Sequence, residues 1–192
     1  AYGVLAGHVS RPLDVNKWKY YDIIDNFIDN HLRVDGHERR TVRARINRLL
    51  SLCRMQLVDP SNVDAVLDLA GHYGVLADKQ WLYDLPELLE EGEKVADYTG
   101  EIDFDDMVYL PVKWDLQFPK YDWVFVDEAQ DLNAVQRRVV DKSLADGGRA
   151  LWVGDESQAI YGFAGADAES FRSIASEYDV TDLTLPICYP CP

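Results

Sequence analysis

The sequence predicts a mixed α/β fold in which a parallel sheet is combined with an all-helical block. Residues from about 15 to 98 carry apolar side chains at helical spacing. After Gly100, short strand-like runs alternate with helical segments, which is the order typical of an α/β fold. One run, Trp123 to Val126, is continuously apolar, as is typical of a strand buried on both faces of a parallel sheet.

The helical block is predicted to contain four helices. Apolar residues recur at spacings of three and four around 20–28 and again around 42–53, which indicates two amphipathic helices. Asp59-Pro60 predicts the cap and first turn of a third helix. Pro86 predicts the start of a fourth helix, which runs to about residue 98.

In the α/β half, strand-like and helical segments alternate. The strands are predicted at 121–126, 149–153 and 183–187, and the helices at 132–145 and 167–178. The chain contains no internal repeat, low-complexity tract or long flexible linker.

Composition predicts a globular, intracellular protein. The chain has 192 residues, of which 47% are hydrophobic, so it is long enough to bury a core in one large domain or two small ones. No apolar stretch is long enough to cross a bilayer, and the N-terminus lacks the pattern of a secretory signal. Cys53 falls on the apolar face of a helix, where we expect a core residue. A cytoplasmic location without a membrane partner is expected, and a nuclear one is left open.

Charge is unevenly distributed along the chain. The net charge is −15, yet residues 1–60 carry ten Lys or Arg against seven Asp or Glu. The basic excess comes from Arg33, Arg39, Arg40, Arg43, Arg45, Arg48 and Arg54. Between residues 33 and 54 the only acidic residues are Asp35 and Glu38. Two interpretations remain open: a local cationic surface for nucleic acid, or a solvated helix face with arginines chosen for helix propensity.

Two strand ends carry polar clusters. Asp127 and Glu128 directly follow the apolar run at 121–126, and ligands in parallel sheets bind at the carboxyl ends of strands. One carboxylate suits a magnesium ion that bridges phosphate oxygens, and the next can orient or deprotonate an attacking water. An acidic pair that merely begins a loop is the alternative. The run at 150–153 is likewise followed by a polar segment that starts at Gly154.

These clusters carry a resemblance to a known family. Asp127-Glu128-Ala129-Gln130-Asp131 and Gly154-Asp155-x-x-Gln158-x-Ile160-Tyr161-x-Phe163-x-Gly165-Ala166 resemble motifs II and III of UvrD/Rep/PcrA-type superfamily 1 DNA helicases. Residues 102–107 are similar to the segment that precedes motif II. Residues 185–189 are similar to the start of motif IV, and residues 1–3 are similar to the residues after motif Ib. The resemblance is strong over about 100–189. Over the helical block only the organisation is similar.

The resemblance implies a fold and a domain order. In this family a RecA-like motor domain of the P-loop NTPase type, called 1A, is interrupted by a helical insertion called 1B. Residues 1–14 and 99–192 would then belong to an incomplete RecA-like parallel sheet, with motifs II, III and the start of IV in the second part. Residues 15–98 would form the 1B-like insertion.

The resemblance also implies roles for individual residues, with ATP and Mg²⁺ as cofactors. Asp127 would hold magnesium, Glu128 would activate water and Gln158 would sense the γ-phosphate. Gln130 and Asp155 would help couple the two motifs at the nucleotide, and Tyr189 would stack against adenine. Tyr161 and Phe163 would lie near single-stranded DNA, with Phe163 at the base-stacking position, while Arg39, Arg40 and Arg43 are the candidate DNA contacts of the helical block. A core role for Tyr161 and Phe163 is the alternative.

The sequence departs from the family pattern at three places. It contains no Gly-x-x-x-x-Gly-Lys-Ser/Thr phosphate loop, so we expect the chain alone to hydrolyse ATP negligibly. Pro190 stands where the family usually has an arginine that reaches the γ-phosphate, and Ala164 stands where an arginine often follows the stacking aromatic.

The hypothesis from the sequence is therefore a fragment of an ATP-dependent DNA helicase that moves on single-stranded DNA and unwinds duplex. Its expected partners are single-stranded DNA, junctions of single and double strands, and the rest of the helicase chain, including the upstream phosphate-loop region and a second RecA-like domain. One rival is a metal-dependent nuclease that uses the carboxylates of Asp103, Asp105, Asp106, Asp127 and Glu128. Another is a non-catalytic module that binds nucleic acid or a partner through residues 33–54.

Overall fold

A computed structural model describes residues 1–155, 174 and 178–183. In chain order, the regular elements of these residues are α1 (Tyr2–His8), β1 (Asp14–Val15), α2 (Lys19–His31), α3 (Gly36–Gln56), α4 (Val63–His72), α5 (Lys79–Leu82), α6 (Leu85–Thr99), β2 (Glu101–Ile102), α7 (Asp106–Lys113), β3 (Tyr121–Val126), a 3₁₀ turn (Ala129–Asp131), α8 (Ala134–Ser143) and β4 (Leu144–Trp152). The prediction of a mixed fold with parallel strands is confirmed.

The longest element is α3, whose ends are set by local chemistry. The carboxylate of Asp35 accepts hydrogen bonds from the backbone N–H groups of His37 and Glu38, which caps the first turn. The helix ends at Leu57, which adopts the left-handed conformation at φ 54°. With 21 residues, α3 is about 30 Å long at 1.5 Å per residue.

One apolar core joins the helical block to the α/β half. Buried side chains from α1 to α8 belong to a single cluster, which includes Leu5 of α1, Ile24 of α2, Leu49 of α3, Leu110 of α7 and Val135 of α8. Cys53 lies in this core, as predicted. The helical block and helices α7 and α8 therefore pack around one shared core.

Two short parallel sheets define the α/β part of the described chain. In the first, β1 pairs with β2, which joins residues 14–15 to residues 101–102 on either side of the helical block. In the second, β3 pairs with β4 in the register Trp123↔Arg149 to Val126↔Trp152, with a bulge nearer the start of both strands. The carboxyl ends of β3 and β4 therefore meet at one edge.

The prediction that β3 is buried on both faces is wrong for the described chain. Tyr121, Trp123 and Phe125 are 53%, 53% and 72% exposed on one face of the strand, while Val124 and Val126 are half-buried on the other. The physical reason is that β3 pairs only with β4 among the described residues, and α8 contacts the sheet without enclosing it. An apolar run predicts a strand, but burial requires neighbours on both faces.

Several predicted helix limits also need correction. The third helix starts at Val63 with Asn62 as its cap, because the Asp59 carboxylate is instead bound to Ser61 in a local turn. Helices α1, α5 and α7 were not predicted. The predicted helix at 167–178 and the strand at 183–187 fall mostly outside the described residues. No helix in the described ranges is long and apolar enough to cross a membrane.

Candidate functional site at the ends of two parallel strands

The candidate site begins where β3 and β4 end. The backbone ladder continues past both strands, because Val153 N donates to Val126 O and Ala129 N donates to Val153 O, each at 2.8 Å. Asp127 and Glu128 lie between these two hydrogen bonds, and both are exposed. The sheet therefore presents two adjacent carboxylates at the edge where ligands bind in parallel sheets.

Glu128 has an unusual backbone conformation. Its φ and ψ are 51° and 44°, in the left-handed region that non-glycine residues rarely occupy. Such a conformation costs on the order of 1–3 kcal/mol and persists only when the surroundings fix it. The 3₁₀ turn at Ala129–Asp131 fixes it here, since Asp131 N donates to Glu128 O at 2.9 Å.

Gln130 connects the two strand ends through its side chain. It is only 2% exposed, its Nε2 donates to Glu128 Oε2 at 2.6 Å, and its Oε1 accepts from the backbone N–H of Asp155 at 3.0 Å. The amide thus donates on one side to a carboxylate and accepts on the other from an N–H group, so both of its ends are used. This chain of contacts, which we call the Gln130 bridge, joins the Asp-Glu pair to the segment after β4.

Four of the predicted site residues lie outside the described part of the chain. They are Gln158, Tyr161, Phe163 and Tyr189. The structure does bring together Asp127, Glu128, Gln130 and the backbone of Asp155.

The residues after the Asp-Glu pair are tied to the helical block. Asn133 and Gln136 form a capping box at the start of α8, with both hydrogen bonds at 3.0 Å. The Asn133 side chain also donates to the sulfur of Met55 at 3.4 Å, a contact buried between α8 and the last turn of α3. One carboxylate oxygen of Asp131 is buried and accepts no hydrogen bond from the residues that the structure describes.

A buried ion cluster ties α3 to the segment before α7. Arg54 is 1% exposed and donates to Asp103 at 2.8 Å, to Asp106 at 2.9 Å and to Asp105 at 3.2 Å. Lys19 of α2 donates to the other oxygen of Asp106 at 2.5 Å. We call these five residues the Arg54 cluster.

Burial and charge compete within the Arg54 cluster. Burial pushes the pKa of Asp103 upward, but attraction by Arg54 outweighs it, so the pKa lies below its usual value. The pKa of Asp106 is raised, first by burial and then by repulsion from Asp103. Arg54 also lies 4.1 Å from the centre of the Tyr20 ring, which adds a cation–π contact.

The Arg54 cluster bears on the nuclease hypothesis. That hypothesis requires Asp103, Asp105 and Asp106 to converge with Asp127 and Glu128 on metal ions. The three aspartates are instead bound to Arg54, and no group of three or more potential metal ligands occurs within the described residues. The geometry gives these carboxylates a structural role.

The arginine run on α3 is less cationic than its sequence suggests. Arg39 is bound to the carboxylates of Asp25 and Asp29, and Arg43 donates to Asp25 at 2.6 Å. The opposing acids come from α2, which the linear sequence does not place beside α3. Arg40 is exposed and has no ion pair within the described ranges.

Sequence reasoning missed Arg54 and Asn133 as residues that position the site. In the sequence Arg54 belongs to the basic run at residues 33–54, although its place beside Cys53, an expected core residue, indicates burial. Asn133 is followed three residues later by Gln136, a capping-box pattern that predicts a helix start. The contact from Asn133 to Met55 spans 78 residues and has no sequence signal.

Comparison with known proteins places the chain in a family. Residues 16–179 match the model of the UvrD/REP helicase N-terminal domain. The chain is 24% identical over 164 residues to ATP-dependent DNA helicase PcrA of Leuconostoc citreum, an alignment that covers 78% of this chain and 22% of that protein.

Two further relatives are also named as DNA helicases. ATP-dependent DNA helicase Rep of Buchnera aphidicola subsp. Baizongia pistaciae is 30% identical over 88 residues, which cover 40% of this chain and 13% of the relative. DNA helicase II of Escherichia coli K12 is 25% identical over 114 residues, which cover 55% and 15%. The chain thus spans between 13% and 22% of the length of these three relatives.

Proposed function

The chain belongs to the UvrD/REP helicase N-terminal domain family, and we propose that it forms part of an ATP-dependent DNA helicase that couples ATP hydrolysis to movement on single-stranded DNA and to duplex unwinding. The observation that carries this proposal is the Gln130 bridge, which joins an exposed Asp-Glu pair to the segment after the neighbouring parallel strand. A motor needs such a link, because a change at the nucleotide must alter the contacts made elsewhere.

The Asp127 and Glu128 carboxylates suit nucleotide chemistry. Both are exposed at the carboxyl end of β3, and Mg²⁺ is typically held by one or two carboxylates together with phosphate oxygens. Asp127 would hold the ion, which supplies charge neutralisation to the phosphates when bound. Glu128 would orient the attacking water and accept its proton, at a place that its strained backbone and the bond from Gln130 hold fixed.

The segment after β4 would report the state of the nucleotide. Gln158 would contact the γ-phosphate, and Tyr161 and Phe163 would contact single-stranded DNA a few residues further along the same segment. Base stacking on an aromatic ring contributes about 1–3 kcal/mol and tolerates any base, which suits a protein that moves along DNA. Tyr189 would stack on adenine. The proposed route from hydrolysis to DNA contact therefore runs from Glu128 through the Gln130 bridge into this segment.

The fold proposal is finer than the mixed fold described above. Residues 1–14 and 99–192 would belong to a RecA-like motor domain, and residues 15–98 to its helical 1B-like insertion. The parallel pairing of β1 with β2 supports this division, because it joins residues 14–15 to residues 101–102 across the insertion. The exposed aromatic face of β3 also supports this division, since helices cover both faces of a RecA-like parallel sheet and would bury such a face.

The helical block would contribute DNA contacts through α3. Arg40 is exposed and available for a phosphate, whereas Arg39 and Arg43 would have to exchange Asp25 and Asp29 for phosphate oxygens. Junctions of single and double strands, the upstream phosphate-loop region and a second RecA-like domain complete the proposed partners. A cytoplasmic location belongs to the same proposal.

The test is Glu128→Gln in a full-length protein that carries the phosphate loop. We expect DNA-stimulated ATP hydrolysis to fall at least 100-fold, because loss of a positioned general base typically costs about 10²–10⁴ in rate. ATP binding should change little. Asp122→Asn is the matched control, since Asp122 is an exposed carboxylate on the same strand. Equal hydrolysis by the wild type and the Glu128 variant would contradict the proposal.

A second measurement concerns ATP hydrolysis by the 192-residue chain alone. Residues 1–192 alone should hydrolyse ATP negligibly, because their sequence holds no phosphate loop. Magnesium-dependent turnover by this chain that Glu128→Gln abolishes would contradict that expectation. Cutting of DNA without nucleotide would favour the nuclease instead.

A further inference from the structure

A groove of about 500 Å³ lies between α2 and α6, on a part of the helical block that the helicase proposal does not use. Besides Lys19 and Glu101, the lining residues run from Asp22 to His31 on α2 and from Glu87 to Val95 on α6. Asp22 and His31 are nine residues apart, so the α2 wall between them is about 14 Å long at 1.5 Å per residue. We call this cavity the α2–α6 groove.

The groove exists because the two helices touch closely at one place. At Gly92 an added Cβ would lie 2.3 Å from the hydroxyl oxygen of Tyr20, so α6 approaches α2 there as only a glycine allows. The helices run antiparallel, since Asn16 just before α2 is bonded to Glu101 just after α6. The groove lies beside this contact, and its apolar lining consists of Ile23, Phe27, Leu88 and Val95.

The rim of the groove carries an excess of negative charge. Asp22, Glu87 and Glu91 are exposed and make no ion pair within the described ranges. The lysine in the lining, Lys19, is already bound to Asp106. By contrast, Glu90 lies on the same helix outside the groove and is paired with Lys94.

Charge and shape together restrict what the groove can bind. Nucleic acid is disfavoured, because its phosphates would lie against the three carboxylates. A single metal ion is disfavoured as well, because no cluster of three or more potential ligands occurs in the described part of the chain. An occupant with apolar side chains for the lining and separated cations for the rim satisfies both features.

We propose that the α2–α6 groove binds a basic amphipathic helix of a partner protein. A helical segment of about nine residues matches the length of the α2 wall, and lysines or arginines on its flanks would meet Asp22, Glu87 and Glu91. Residues 156–173 of this chain do not fit, because they contain Glu156, Asp167 and Glu169 against Arg172 alone. This proposal does not depend on helicase activity.

The experiment measures peptide binding to the full-length protein by fluorescence anisotropy. The probe is a labelled peptide of about 18 residues made of leucine and lysine in amphipathic helical order, long enough to form a helix on its own. A second peptide has the same composition in scrambled order. The groove variant is Glu87→Gln with Glu91→Gln, and the matched control is Glu90→Gln with Asp97→Asn, which removes the same charge from the same helix outside the groove.

The proposal predicts that the groove variant weakens binding of the amphipathic peptide at least fivefold, while the control changes it less than twofold. The scrambled peptide should bind at least fivefold more weakly than the amphipathic one. Equal losses in the two variants, or equal binding of the two peptides, would show attraction by overall charge alone and would overturn the proposal. Cross-links from a photoreactive form of the peptide should map to residues 22–31 and 87–95, and cross-links elsewhere would overturn it too.

Discussion

Replacement of Arg54 by methionine should destabilise the fold strongly. Arg54 is 1% exposed and binds three carboxylates, of which that of Asp106 is 0% exposed. With Arg54 the cluster has two positive and three negative groups, and without it Lys19 alone faces the three aspartates. Methionine fills a similar volume, so the loss reports the unpaired charge more than a cavity.

The expected magnitude follows from the cost of breaking a buried ion pair. Removing one partner of such a pair typically costs about 3–5 kcal/mol, which is a large share of the 5–15 kcal/mol that stabilises a typical domain. With a urea dependence of about 2–3 kcal/mol per M, the midpoint of unfolding should fall by about 1–2.5 M. Arg40→Met is the matched control, because Arg40 is an exposed arginine of the same helix and its loss should change stability by less than about 0.5 kcal/mol.

The assay is urea unfolding of both variants at pH 7, followed by far-ultraviolet circular dichroism, and then repeated near pH 4. In the wild type the pKa of Asp103 is lowered, so this carboxyl stabilises the fold above its unfolded pKa of about 4 and the contribution is lost as the pH falls. Without Arg54, burial should raise that pKa, and the charged form then destabilises the fold above pH 4. The deficit of the Arg54 variant should therefore be smaller near pH 4. A deficit below 1 kcal/mol at pH 7, or one equal to that of Arg40→Met, would refute the reasoning.

Three further predictions concern packing, thiol chemistry and capping. Gly92→Ala should destabilise the fold by about 1–3 kcal/mol, because the added Cβ would overlap the Tyr20 side chain. Gly71→Ala, where the added Cβ meets open space in α4, should stabilise the fold by up to about 1 kcal/mol. The urea midpoints of the two variants should therefore shift in opposite directions, and equal shifts would contradict this prediction. Burial raises the pKa of Cys53 to about 12, so this thiol should resist alkylation at pH 8 in the folded protein and react in urea. Peptide mapping after alkylation measures the difference, and alkylation of Cys53 without urea would contradict its burial in the core. Asn133→Ala should cost about 1 kcal/mol in thermal or urea unfolding because it removes the capping box of α8, and an unchanged midpoint would count against that role.

Much of the candidate site could be predicted from sequence because its determinants are local. The apolar run 121–126 followed by Asp127 and Glu128 predicts a strand with carboxylates at its end, and β3 has those bounds. The helices around residues 20–28 and 42–53 follow equally from periodicity, since one apolar face must be buried whatever its partner is. Family membership, expected from the spacing of motifs II and III, is confirmed by the match over residues 16–179.

The remaining features depend on contacts between residues far apart in the chain. Periodicity gave no sign of α7, because Pro111 interrupts its pattern and three acidic residues precede it. The pairing of Arg39 and Arg43 with acids of α2 was equally invisible, since those acids lie at least ten residues away in sequence. Exposure of β3 depends on which elements cover it, which the run itself does not encode.

The sequence by itself determined the amphipathic helices around residues 20–28 and 42–53, the carboxylates at the end of β3 and the family to which the chain belongs. These follow from short-range spacing and residue chemistry. Only the tertiary structure decided that Gln130 joins Glu128 to Asp155, that Arg54 is a buried anchor, and that α2 and α6 enclose an acid-rimmed groove. Each of these depends on the distance between segments that the chain separates, and packing alone sets that distance.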